Sequence, residues 1–248
     1  MTSLLTVASA VTSADGTAIA VDRTGSADSD TVLVVVDGVL AHRPPATLAI
    51  ARRLATADDT VPGPPVATVR YDRRGRGSSG FTPPYGVKRE VEDLAAVLDA
   101  AGPAILLGLS TGGFLALRAA ADLGELVAAV VVHQPVHDVA AGGLHTWRHL
   151  VAAVESCVAA GDRTSAVEVF LDVSGMPPEY VARMHRCPSW PDLEDHVATI
   201  AHDGALVGDS AGELDPEQAS GRRVLVVDDD DPGAIVGAVR SVSRACSP

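Results

Sequence analysis

Residues 105–117 read ILLGLSTGGFLAL, with Ser110 at the centre of a G-x-S-x-G pattern. An apolar run leads into the motif, and a second apolar run with helical spacing leads out of it. A serine on a sharp strand-to-helix turn is built for nucleophilic attack on an acyl carbon. Its hydroxyl stands clear of the chain, and the free amides and positive dipole end of the helix lie beside it. Gly108 and Gly112 leave room for the strained backbone that such a turn requires. A plain glycine-rich turn is the alternative; the order strand, motif, helix favours the nucleophile.

Acyl transfer also needs donors for the oxyanion. The stretch VVVDGVLAHR (34–43) closes an earlier buried run, and in a parallel α/β sheet the loop at that point offers an amide. The N–H of Val39 and the N–H of Thr111 are the two candidates. Asp37 is unexpected there, because a carboxylate beside an oxyanion hole opposes the charge that builds up. It is read as a further acid or base, or as a solvent-facing residue. The tract DDDD (228–231) reads as a strand-end loop with one functional carboxylate rather than a hard-cation site.

Two other patterns suggest chemistry and are set aside. YDRRGRGSSG (71–80) has the glycines and cations of a phosphate loop, but no P-loop lysine follows, so it reads as a structural turn. His145 and His149 stand four apart in HTWRH, as on a zinc-protease helix, yet Thr146 occupies the glutamate's place. They read as two histidines facing solvent or a pocket. No metal and no other cofactor is expected.

These residues need a scaffold. The segment LTVASAVTSADGTAIAVDR (5–23) places two alternating runs around Asp15-Gly16, a hairpin signal. Buried-strand runs at 31–38, 65–72, 103–109 and 126–135 then alternate with helical patterns at 45–57, 85–102 and 112–124. Such alternation predicts a mostly parallel sheet with helices on both faces and ligands beyond the C-terminal strand ends. Residues 137–205 carry only helical patterns and are expected to form a cap. RRVLVVDDDDP (222–232) returns to the sheet and a last helix follows. The expected domains are residues 1–136 with 206–248 as core, and 137–205 as cap.

Composition excludes other classes. A formal charge of −13 disfavours nucleic acid and anionic membranes as partners. No apolar run reaches the roughly 18–20 residues of a membrane helix. The first residues make a poor signal peptide, so a cytoplasmic location is expected. Three widely spaced cysteines, Cys157, Cys187 and Cys246, suit free thiols.

The GLSTGG turn, the YDRRGRGSSGFTPPYGVKREVEDLAAVLDAAG stretch and AAGDRTSAVEVFLDVSGMPPEYVARM…WPDLED together resemble the α/β-hydrolase superfamily, in particular small bacterial members. The resemblance implies an eight-stranded sheet with a helical cap, Ser110 as nucleophile and an oxyanion hole from Val39 and Thr111. It implies an acid on the loop after VLVV, where Asp231 before Pro232 matches best and Asp229 or Asp230 can substitute. It also implies a histidine after the last strand. The chain ends one helix beyond the acid strand and no histidine follows His202, so that strand and its histidine are expected to be missing. Asp37-Gly38 stands where His-Gly or Gly-Gly is usual.

A serine hydroxyl needs a base within reach. His133, which ends the strand beside the elbow strand, and His202, near the end of the cap, are the first candidates. His137 and a histidine from a partner chain follow. The expected activity is serine-dependent acyl transfer through acyl-Ser110, on an ester or a thioester, with the acyl group on a small molecule or a carrier protein and a place in bacterial secondary metabolism. Arg52, Arg53, Arg222 and Arg223 form the patch that would dock a carrier. A lyase or cyclase using Asp37, and an inactive binding relative, are the competing readings. A homodimer through the exposed sheet edge is a further expectation.

Overall fold

The computed structural model describes residues 6–56, 62–134, 144–209, 221–229 and 231–246. Its strands are β1 (Thr6–Thr12), β2 (Ala18–Thr24), β3 (Val32–Val36), β4 (Ala67–Tyr71), β5 (Ala104–Leu109), β6 (Val127–His133) and β7 (Arg223–Val227). Its α-helices are α1 (Pro45–Leu54), α2 (Val87–Ala101), α3 (Gly112–Leu123), α4 (Leu144–Ala159), α5 (Arg163–Val173), α6 (Pro178–Met184), α7 (Trp190–His196), α8 (Ile200–Asp209) and α9 (Pro232–Cys246).

The strands form one sheet in the order β1-β2-β4-β3-β5-β6-β7. β2 runs antiparallel to β1 and β4, and the other pairs are parallel. The hairpin turns at Gly16, whose φ of 84° suits a residue without a side chain. The β-branched and leucine-rich runs become strands buried on both faces, as a parallel sheet demands; every residue of β3 and β4 is buried. Where the resemblance implies eight strands, the described residues hold seven. Edge strand β7 is only partly covered, and Val226 is 44% exposed.

Helices cover both faces. Ile50 and Leu54 of α1 and Ile235, Val236 and Val239 of α9 pack on Leu33, Val35, Ile105, Leu107 and Val131. On the other face α3 packs on β5 and β6, and α2 lies against α3 and the hairpin. The chain divides into two compact units, Met1–Val136 with Leu214–Pro248, and His137–Glu213. The second unit is helical in all its described elements, α4 to α8. Its own core includes Leu150, Val154, Val167, Ile200 and Val207. Cys157 and Cys187 are free thiols. No helix among the described residues is long and apolar enough to cross a membrane.

Register fixes what the sheet presents. Val36 pairs with Gly108, Leu109 with His133, and His133 with Val227. The residues that follow, Asp37, Ser110 and Asp228, therefore leave the sheet along one edge.

Candidate active site

Ser110 lies between β5 and α3 with φ 50°, a left-handed conformation that a non-glycine residue adopts at a cost of about 1–3 kcal/mol. The surroundings hold it there. Its N–H donates to the His133 carbonyl at 3.0 Å, and its own carbonyl accepts from Gly113 N–H at 3.0 Å. A side chain at Gly108 would place its Cβ 2.5 Å from Gly113 Cα, and one at Gly112 would sit 2.2 Å from the Val36 carbonyl oxygen. The glycines of the motif are thus set by backbone-to-backbone contact. Ser110 itself is half-buried and reachable, and Thr111, fully buried, opens α3.

The loop after β3 packs on this turn. A Cβ at Gly38 would lie 2.8 Å from the Leu109 carbonyl oxygen and 3.0 Å from Ser110 Cβ. Leu40 and Arg43 take φ of 55° and 45°, so the loop turns sharply, and Val39 within it is half-buried. Two contacts hold its start: Arg76 Nη1 donates to the Gly38 carbonyl at 2.6 Å, and Arg73 Nη1 to the Asp37 carbonyl at 3.4 Å.

Asp37 does not face solvent; it is 1% exposed. Its Oδ2 accepts the Arg43 N–H at 2.9 Å, closing the loop, and its Oδ1 is enclosed without a hydrogen-bond partner among the described residues. Burial pushes its carboxyl from the ordinary 3.8 up to about 6, against the opposing pull of the Arg43 amide, Arg70 and Arg76. The folded protein therefore keeps a proton that the unfolded chain loses between about pH 4 and pH 6. Stability from this group is present at pH 4 and below and is lost as pH rises through 6. Urea titrations of the wild type and Asp37→Asn should diverge over that window. The wild type should lose about 3 kcal/mol relative to the variant between pH 4 and pH 7. Parallel curves would exclude a raised Asp37.

The arginine-rich loop is a buried ion-pair frame. Arg73 forks onto Glu90 at 2.7 and 2.5 Å, and Tyr85 donates to the same carboxylate at 3.0 Å. Arg74 forks onto Asp93 at 2.7 and 2.6 Å and reaches Asp15 at 2.9 Å. Arg43 clasps Asp72 at 2.8 and 2.6 Å, while Arg70 clasps Asp22 at 3.0 and 2.7 Å. Arg73, Arg74 and Arg76 are each at most 1% exposed. Their charge is spent inside the protein, which removes the phosphate-loop reading. Sequence reasoning missed the partner carboxylates. The available signal was Glu90 and Asp93 on the same helix face as buried Val97.

Among the candidate bases, His133 shares the sheet edge with Ser110. Its Nε2 lies 3.0 Å from the Asp229 carbonyl oxygen. A carbonyl only accepts, so Nε2 carries the proton and Nδ1 holds the lone pair in neutral imidazole. Among the described residues, the acid loop meets His133 through the Asp229 main-chain carbonyl. Asp229 Oδ1 accepts Asp231 N–H at 2.9 Å, and Asp231 Oδ1 accepts Gly233 N–H at 2.9 Å, so exposed Asp231 caps the start of α9. His202 is half-buried on α8 of the second unit. His137 and Asp230 lie outside the described residues.

Residues 39–246 match the alpha/beta hydrolase family. The chain belongs to that family. A solved alpha/beta hydrolase from Sphaerobacter thermophilus DSM 20745 is 30% identical; the match covers 95% of this chain and 100% of that one, with a TM-score of 0.71. The esterase RhEst1 from Rhodococcus sp. ECU1013 is 21% identical over 97% of this chain and 99% of that one (TM-score 0.66). The bottromycin epimerase BotH, solved with bottromycin A2, is 22% identical over 96% of this chain and 97% of that one (TM-score 0.56). The last two share the fold. No curated protein matches the chain. Membership of the alpha/beta hydrolase family agrees with the strand order, the turn at Ser110 and the mostly parallel sheet, and points to a hydrolase-type enzyme.

Proposed function

We propose that this alpha/beta hydrolase is a serine-dependent acyl-transfer enzyme that forms an acyl-Ser110 intermediate from an ester or thioester. The observation that carries the reading is the left-handed Ser110 backbone, held by main-chain contacts on three sides. Strain of that kind persists only where the surroundings enforce it.

In this mechanism Ser110 Oγ attacks the acyl carbon while a histidine takes its proton. His133 Nδ1 is the first choice, since the Asp229 carbonyl fixes the tautomer that leaves this lone pair. The N–H groups of Val39 and Thr111 receive the oxyanion. The leaving group departs, and water or an acceptor thiol, amine or alcohol then releases the acyl group. A thioester suits this site, because a thiol leaves with a pKa of about 8.5 and needs little help from an acid. Asp37 acts in this reading as a positioning residue: its carboxyl holds Arg43 N–H and so the shape of the loop that carries Val39.

A fluorophosphonate probe tests the reading by intact mass. One adduct per chain is expected on the wild type and none on Ser110→Ala. An unmodified wild type under saturating probe would overturn it. His133→Ala should slow labelling by about 10²–10⁴-fold. If His202→Ala slows it instead, the base belongs to the cap.

A further inference from the structure

The histidines of HTWRH come together in a way that spacing alone does not reveal. His145 and His149 lie one turn apart near the start of α4, on the same side of the helix. Both are exposed. One ring's Nε2–H donates to the other ring's Nε2 at 3.0 Å, and the ring centroids are 4.1 Å apart with planes tilted by 53°. Both ring edges thus converge on one point above the helix.

When the proton of that hydrogen bond moves from Nε2 to Nδ1 of the donor ring, both Nε2 lone pairs face the same point. A metal bound at the usual 2.0–2.1 Å from two nitrogens held 3.0 Å apart subtends an angle of about 95°. That is the angle between adjacent ligands of an octahedral or square-planar ion, and it is tighter than a tetrahedral site requires. We propose that His145 and His149 form a bidentate site for one divalent transition-metal ion, with Cu²⁺ and Ni²⁺ preferred over Zn²⁺. Imidazole ligands suit these ions; the general affinity series for nitrogen sites puts Cu²⁺ above Zn²⁺, and the near-right angle suits Ni²⁺ better than a tetrahedral Zn²⁺. Thr146 stands where a hydrolytic zinc helix carries its general base, so the site is a clasp and not a second hydrolase centre. The ion would tie the first two turns of α4, a helix that packs on α5 and α8 within the second unit. This inference does not depend on Ser110.

Calorimetric titration of the purified protein with Ni²⁺ tests it. One ion per chain is expected at micromolar affinity, weakened at least tenfold in His145→Ala and in His149→Ala. His149→Gln, which keeps a polar helix-forming residue, should lose the site equally, which separates chelation from folding. His185→Ala should leave it intact, since that ring is engaged with Glu168 and Trp190 elsewhere in the unit. Absence of the tight site in the wild type would overturn the proposal. So would equal affinity in all of these proteins.

Discussion

Gly112→Ala should unfold or nearly unfold the protein and abolish labelling of Ser110. The added Cβ would lie 2.2 Å from the Val36 carbonyl oxygen, 2.8 Å from that of Asp37 and 2.9 Å from Val36 carbonyl carbon. All three are main-chain atoms, so no side chain can rotate away. Relief requires the end of β3 to separate from the start of α3. Overpacking of a tight core costs about 1–3 kcal/mol even when side chains can adjust, and the cost here should exceed that range. Gly113→Ala offers a contrast, because its nearest neighbour is the Val132 Cγ1 methyl at 2.6 Å, a side chain that can shift. Gly208→Ala on α8 meets nothing within 4 Å and should not lower stability, since alanine is the better helix former. Urea midpoints rank the three. A Gly112→Ala protein of wild-type stability would show that the seam between β3 and α3 is loose.

Arg73→Met should cost about 3–5 kcal/mol, the range for leaving a buried ion without its partner. The side chains of Arg73 and Glu90 are 0% and 2% exposed, and two short bonds join them. The single substitution strands the Glu90 carboxylate, which keeps the hydrogen bond from the Tyr85 hydroxyl. The double substitution Arg73→Met with Glu90→Leu removes both charges and should recover most of the loss. The cycle would then show a coupling of at least about 2 kcal/mol. Additive effects would mean that the pair is screened by solvent and that its enclosure is not maintained.

These two results concern different levels of what the sequence discloses. The elements were legible because each has a strong local signature. VLVVV has to be buried on both faces, Asp15-Gly16 has to turn, and α3 follows Ser110 with apolar spacing. Once alternation fixes a parallel sheet, Asp37, Ser110 and His133 must fall at one edge. The partners of those residues were not legible, because they come from elements distant in sequence. Arg73 meets a carboxylate 17 residues later, and Arg70 one 48 residues earlier. Asp37 read as a misplaced charge because nothing local shows that Arg43 N–H curls back to it. Asp231 is the acid the resemblance implies after VLVV, and nothing local showed that its carboxylate would also accept the Gly233 N–H at the start of α9. The histidine pair was visible, but its convergence depends on side-chain rotamers that spacing leaves open.

The main-chain seam around Ser110 has a consequence for exchange of backbone hydrogens. Gly38, Gly108 and Gly112 bring three stretches of chain together with main chain against main chain. Such a seam has no rotamer to flip, so it cannot loosen by small steps. The amides of Ser110 and Gly113, both bonded within it, should exchange with deuterium only when the whole sheet unit opens. Protection there should match the global stability. Val39, one residue beyond Gly38, is half-buried, and its amide should exchange sooner. One side of the Ser110 turn would then be rigid and the loop facing it adaptable.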